Sequence, residues 1–291
     1  MSKAVIDYWE QGAERYRDHA YKFNLKGERY PFYETRRSLM ADMAKNLPRG
    51  KLLDAGCGGA ALVIHFQSLG WDCYGFDGAS NMVKVAHDNL KECGLETSRV
   101  TQGDVTDLRA YGDASFDIVI SAGVMEYLNL EEEKRAMAEA HRVLKPGGHL
   151  LVENINGLFD ISTFNRFTMG FYADQVLPLF FQDKAERERL MKRIEGLVTN
   201  PDKPSRQGTF STTRDQVFTR AEIPLSYGAK AKSFGFEQVE QGFYRYHAVP
   251  PLLFEAEPTL EQVPIAHELA LSRHWIGNLM ASGFVALLKK V

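Results

Sequence analysis

Residues 51–60, KLLDAGCGGA, decide the fold. Leu52 and Leu53 form an apolar pair suited to a buried strand, Asp54 closes it, and Gly56, Gly58 and Gly59 follow. Those glycines free the backbone for positive φ and let a ligand approach closely. The apolar residues of 60–69 then recur at helical spacing. The stretch reads as a strand, a glycine turn and a helix N-terminus.

Which ligand such a turn takes depends on the charge beside it. Gly56, Gly58 and Ala61 satisfy the G-x-G-x-x-G/A dinucleotide pattern, and Asp77 stands about 20 residues on, as that pattern asks. A dinucleotide would set its pyrophosphate at this helix N-terminus, next to Asp54. Like charges at about 4 Å repel by roughly 1 kcal/mol in water and several-fold more near a protein surface. An ammonium group would instead be attracted. S-adenosylmethionine carries that ammonium, with a ribose and an adenine, and no phosphate.

LLDAGCGGA resembles motif I of the class I S-adenosylmethionine-dependent methyltransferases, and the resemblance continues in order through four more stretches. These are GFDGASNM (75–82), GDVTDL (103–108), FDIVISAGVMEYL (116–128) and HRVLKPGGHLLVENIN (141–156), with a weaker echo in GFVALLKK (283–290). The family implies an α/β fold: a Rossmann-like, doubly wound, mostly parallel seven-stranded sheet. It also implies an N-terminal helical lid and an insertion after strand five. The expected division is a lid over 1–47, a cofactor-binding core over 48–155, a substrate-cap insertion over 156–222, and strands six and seven within 223–291.

The resemblance assigns cofactor roles residue by residue. Asp54, Gly56, Cys57 and Gly58 belong to the first turn. Asp77, at a strand's carboxyl end, is placed to accept both ribose hydroxyls, with a helix N-cap role as its bland alternative. Gly78 leaves room for the adenosine, and Met82 touches the adenine or sits in the core. Asp104 is expected at the adenine amino group, with the Val105 amide on a ring nitrogen; a turn aspartate is the alternative. Ser121 and Ala122 pass behind the methionine moiety. Arg36 is singled out because ubiquinone-pathway O-methyltransferases use an arginine this far ahead of motif I to pair the methionine carboxylate, a task suited to a guanidinium fork. Its neighbour Arg37 leaves the register open.

Composition narrows the surroundings. At 291 residues the chain can bury a sizeable core, its 44% hydrophobic content is ordinary, and no apolar run reaches the length of a membrane span. The charged start, MSKAVIDYWEQGAERYRDHA, lacks the apolar centre of a signal peptide, so a cytoplasmic protein is expected. Cys57, Cys73 and Cys93 show no metal or disulfide spacing. A net charge of -3 argues against phosphate-backbone binding as the main source of affinity.

Methyl transfer from a sulfonium is an in-line displacement, and alignment supplies most of the barrier reduction. An alcohol acceptor also needs a base. The candidates are His247, Glu126 and Tyr127, the last standing where the family's V-L-E-H-L stretch has histidine; a phenol is a poor base at neutral pH. Tyr16 and His19 in the lid and Asn154 at the end of strand five are candidates for the acceptor side. No carboxylate–histidine cluster suggests metal assistance. The aromatic run FNRFTMGFYADQVLPLFF (164–181) suits a flat or greasy small-molecule acceptor, or plain packing. Two alternatives remain open at this stage: an RNA-modifying enzyme using Lys184, Arg187, Arg189, Lys192 and Arg193 as a basic face, and a non-catalytic S-adenosylmethionine-binding partner protein.

Overall fold

A computed structural model describes residues 2–17, 32–164, 166–195, 217–248, 251 and 264–291. Among the described residues two helices, α1 (Lys3–Tyr16) and α2 (Phe32–Ala44), precede the sheet. The chain then alternates through β1 (Lys51–Ala55), α3 (Ala61–Ser68), β2 (Asp72–Asp77), α4 (Ser80–Glu92), β3 (Val100–Gln102), β4 (Phe116–Ser121), α5 (Leu130–Val143) and β5 (Leu144–Asn156). Short helices α6 (Arg166–Phe171) and α7 (Leu177–Phe180) lead to α8 (Lys184–Glu195). The chain continues with β6 (Ala221–Glu222), α9 (Pro224–Lys232), β7 (Phe236–Tyr246), α10 (Glu268–Leu271), α11 (Gly277–Met280) and β8 (Ala281–Lys290).

The strands lie in the order β3-β2-β1-β4-β5-β8-β7. Pairings among the first five are parallel, and β8 runs antiparallel to both β5 and β7. This is the expected seven-stranded, mostly parallel sheet. The two-residue β6 adds itself to the end of β5 in parallel register, a detail too short to leave a periodic signal.

Strand alternation divides the core between the two faces. Leu52, Ile118, Ile120, Leu151 and Val285 pack with Leu39 and Met40 of α2 and with Val63 and Phe66 of α3. Leu53, Val119, Leu150, Val152 and Phe284 face the other way, against Met137 and Ala140 of α5 and Tyr227 and Ala231 of α9. Such continuous apolar strands are what burial on both faces requires. α5 is fixed at its start by a capping box, in which the Asn129 side chain accepts from Glu132 N and the Glu132 side chain accepts from Asn129 N.

The glycine turn differs from expectation in one respect. Gly56 and Gly58 take positive φ, at 84° and 52°, but the third such residue is Ala60, at 65°, rather than Gly59. Gly59 is small for a different reason: a Cβ there would stand 3.1 Å from Asn89 Nδ2, which donates to the Gly59 carbonyl. Asp117, buried in sequence context, accepts from Lys145 Nζ and Lys51 N at the sheet's amino edge, a structural role.

Candidate active site

At the carboxyl end of β1, Asp54 is 1% exposed, and neither carboxylate oxygen has a hydrogen-bond partner among the described residues. Burial pushes its pKa up to about 7; Arg36 pulls it down and Asp77 pushes it further up. Arg36, Tyr33 and Tyr16 line the same cleft as Asp54, Gly56, Cys57 and Ala122. A buried anion and a buried cation thus share one small space at the mouth of the glycine turn. Cys57 is part of the turn's backbone fixing, since Gly56 N and Cys57 N both donate to the Phe76 carbonyl at 2.9 Å.

Arg36 is 7% exposed and is held by Glu153 at the end of β5, with Nη1 donating to Oε2 at 2.6 Å. Burial disfavours the guanidinium charge, but the neighbouring Glu153 carboxylate together with Tyr16, Tyr244 and Tyr33 outweighs this, and the pKa rises. The other Glu153 oxygen accepts the hydroxyl proton of Tyr244. Burial and that carboxylate hold the Tyr244 phenol well above its ordinary pKa, so it stays protonated. Arg36 also lies over the Tyr33 ring, 5.3 Å from its centroid.

At the next strand end, Asp77 ties two loops together, accepting from Gly58 N through Oδ2 and from Ala79 N through Oδ1, both at 2.9 Å. Burial raises its pKa against those two donors. Asp104, after β3, accepts from both the amide and the hydroxyl of Thr106, while Val105 is buried in the core. Met82 is 1% exposed and packs with Ala13, Ala79 and Val85. Ser121 closes β4 with a buried hydroxyl that finds no partner among the described residues.

Helix α1 lies over this whole region. Ile6 Cδ1 stands 2.7 Å from where a Cβ on Gly78 would be, and the Tyr16 ring 2.8 Å from the corresponding point on Gly58. The Glu10 carboxylate accepts from Ser80 N and Asn81 N, at 2.6 and 2.8 Å, where α4 begins. With the helix so placed, the cavity among Tyr16, Arg36 and Asp54 is only about 20 Å³. A larger hollow of about 390 Å³ lies among Arg49, Lys51, Asp72, Asp117 and Lys145. It opens at the amino ends of the strands, the wrong end for a ligand crevice in an open α/β sheet.

On the acceptor side the candidates separate. Around Gly123, a Cβ would be 3.4 Å from Arg36 Nη1, 3.8 Å from Glu153 Oε2 and 4.0 Å from Glu126 Oε1, so Glu126 joins the cluster. Tyr127 is buried edge-on to Trp9 of α1 with Val5 and Val217 around it. His247 stacks on Phe159 at 4.5 Å between centroids, and burial, with Arg245, lowers its pKa to about 3. A neutral imidazole of that kind is a weak base. Asn154 is 3% exposed and faces the opposite side of the sheet from Glu153, toward Tyr227. His19 lies outside the described residues. Glu153 is legible from sequence order as a residue ending strand five, but Tyr244 and the pairing of Glu153 with Arg36 and Tyr244 are not.

Among the described residues no group of three or more His, Cys, Asp or Glu side chains is arranged to hold a metal ion. No described helix is long and apolar enough to cross a membrane. On α8, Lys184 pairs with Glu188, Arg189 with Glu186, and Arg187 donates to the Phe181 and Gln182 carbonyls.

The sheet order, the glycine turn and the acidic residues at the carboxyl ends of β1 and β2 and after β3 define a Rossmann-like α/β protein. Residues 53–152 match the family described as a methyltransferase domain. A demethylmenaquinone methyltransferase of Geobacillus stearothermophilus is 35% identical over 201 residues, covering 66% of this chain and 82% of that protein. An uncharacterized methyltransferase of Bacillus subtilis is 30% identical over 144 residues, which cover 50% of this chain and 52% of the relative, about half its length. A magnesium protoporphyrin IX methyltransferase from Synechocystis, solved with bound S-adenosylhomocysteine, shares the fold, with a TM-score of 0.56, 14% identity, and coverage of 99% of this chain and 98% of that one. The chain belongs to the class I S-adenosylmethionine-dependent methyltransferases, and S-adenosylmethionine is its cofactor.

Proposed function

We propose that the protein transfers a methyl group from S-adenosylmethionine to an oxygen or nitrogen of a small-molecule acceptor. The observation that carries the cofactor site is Asp54: a buried carboxylate with no hydrogen-bond partner among the described residues, facing a cleft that also holds a guanidinium. An isolated buried carboxylate is costly, and an ammonium ligand compensates it. In this reading Asp54 takes the amino group of the methionine moiety and Arg36 its carboxylate. Asp77 holds the ribose, Gly78 and Met82 border the adenosine, and Asp104 and the Val105 amide read the adenine edge. Gly56, Cys57 and Gly58 shape the turn, and Ser121 and Ala122 back the methionine chain.

The cofactor supplies an electrophilic methyl on a positively charged sulfur. The chain's own task is to orient the acceptor, exclude water and remove a proton where the acceptor is an alcohol. Glu126 is the best-placed base, because its carboxylate reaches the Gly123 cluster. His247 is held neutral at a low pKa, and Tyr127 is packed under α1. Tyr16 and His19 remain acceptor-side assignments, whereas Asn154, turned to the other face of the sheet toward Tyr227, does not reach this cluster. A flat, apolar acceptor is supported by the aromatic segment after β5 and by relatives named demethylmenaquinone methyltransferases.

The test compares thermal stabilisation by S-adenosylmethionine, S-adenosylhomocysteine and NAD, followed by radiolabelled methyl transfer into fractionated phenols and amines. Stabilisation by the two sulfur nucleosides but not by NAD, with label in a small-molecule fraction, is expected. Stabilisation by NAD alone would overturn the cofactor assignment, and label recovered in RNA would overturn the acceptor class.

A further inference from the structure

We infer that Glu153, held by Tyr244, is the positioning residue that fixes Arg36 at the amino-acid end of the cofactor cleft. This rests on the cofactor reading above. It adds a pair of residues from β5 and β7 to a site otherwise built from α2, α4 and the carboxyl ends of β1 to β4.

The argument starts from register. Glu153 pairs with Val285 across β8, and Tyr244 pairs with Gly283 two residues earlier on the same strand. For the Tyr244 hydroxyl to reach Glu153, the ring must cross β8 over Gly283. It does so: a Cβ on Gly283 would lie 2.6 Å from the ring carbons Cε1 and Cζ and 2.7 Å from the hydroxyl oxygen. The φ of Gly283 is not in the left-handed region, so its smallness is explained by this crossing. Gly242, on β7, is likewise small beneath α2, where its Cβ would stand 2.8 Å from Leu39 Cδ1. The two glycines let the Tyr244 ring and helix α2 settle close to the sheet on the face that carries Glu153.

Both oxygens of Glu153 are therefore committed, one to the phenol and one to the guanidinium. A carboxylate so engaged is a poor proton acceptor for a substrate, and a good anchor. Arginine loses rotamer freedom when it is fixed, and a guanidinium already oriented by a buried partner has less to lose on meeting a second carboxylate. Its planar fork presents five N–H donors, and Arg36 lines the cleft while its Nη1 serves Glu153. Tyr33, stacked on Arg36, limits the fork from the other side.

The experiment measures binding by calorimetry for two ligands: S-adenosylhomocysteine, and its decarboxylated analogue, which keeps the ammonium and lacks the carboxylate. Wild-type protein is expected to prefer the carboxylate-bearing ligand. Glu153→Gln and Tyr244→Phe should each weaken S-adenosylhomocysteine by about tenfold, the scale of a charge-assisted hydrogen bond, and the analogue by less than about twofold. Arg36→Ala should remove the preference, and adding Glu153→Gln to it should change nothing more. Tyr244→Phe keeps the ring over Gly283, so it reports on the hydroxyl even where Glu153→Gln fails to fold. Equal losses for both ligands would make Glu153 a residue of the fold alone and overturn the inference. Unchanged or tighter binding of S-adenosylhomocysteine would also overturn it, by showing that Glu153 competes with the ligand. Failure of wild-type protein to bind either nucleoside would instead sink the cofactor reading itself.

Discussion

Replacing Asp54 with Asn should make the protein more stable and less able to bind its cofactor. The carboxyl is fully enclosed, and its pKa in the folded protein is about 7 against an ordinary 3.8. A carboxyl whose folded pKa is raised binds more protons in the folded state than in the unfolded one. The folded state therefore loses stability as pH climbs from about 4 through about 7. Complete ionisation across that interval corresponds to roughly 4 kcal/mol. Asparagine does not pay it, but leaves an amide donor buried, at roughly 1–3 kcal/mol. The net expectation at pH 8 is a gain of about 1–3 kcal/mol, or several degrees in Tm for a chain of this size. At pH 5, where Asp54 is already protonated, the difference between variant and wild type should shrink to zero or reverse. Thermal melts of both proteins at the two pH values, with and without S-adenosylmethionine, read the effect. Wild type should gain about 2.7 kcal/mol at a ligand concentration 100 times its Kd, and the variant far less at that concentration. A variant less stable than wild type at pH 8, or equally favoured at both pH values, would refute the reasoning. So would undiminished ligand binding.

Asp77→Ala removes the acceptor that ties Gly58 N to Ala79 N and should abolish nucleoside-dependent stabilisation, as read in the same melts; full affinity would place the ribose elsewhere. Glu126→Gln should lower kcat by about 10²- to 10⁴-fold with an alcohol acceptor while leaving the Kd for S-adenosylhomocysteine nearly unchanged; an equal rise in Kd would make Glu126 part of the cofactor cleft. His247 has a folded pKa near 3 against 6.5, so its share of stability is complete above pH 6.5 and is lost as pH falls toward 3. His247→Gln should therefore flatten the acid limb of the stability profile between pH 6 and 4, and an unaltered limb would disprove the burial argument.

How much of this could be read from the chain alone depends on how local each feature is. The first turn, the strand that ends at Asp77 and the strand ahead of Asp104 announce themselves within a dozen residues, because apolar runs, glycines and acids stand in fixed order. Arg36 is singled out by its distance from motif I, yet its partner lies 117 residues away and Tyr244 lies 91 residues beyond that. Such a trio is created by strand order, in which β8 inserts between β5 and β7, and nothing periodic in the sequence signals it. Gly283 is a clear case: in GFVALLKK it reads as the start of a strand, and only the packed ring of Tyr244 reveals why a side chain is excluded there. Ala60 at positive φ was hidden in the opposite sense, since a neighbouring glycine drew the assignment.

The position of α1 has a kinetic consequence. Ile6 and Tyr16 fill the ground before Gly78 and Gly58, and Ala13 is packed against Met82 and Val85. On the proposed function, a nucleoside enters only from conformers in which that helix has lifted, and it departs the same way. The measured dissociation constant is then the intrinsic one divided by the fraction of molecules that stand open. On that function association should level off at high ligand concentration at the rate at which the helix detaches, and α1 (Lys3–Tyr16) would then be a metering valve on turnover as well as a cover.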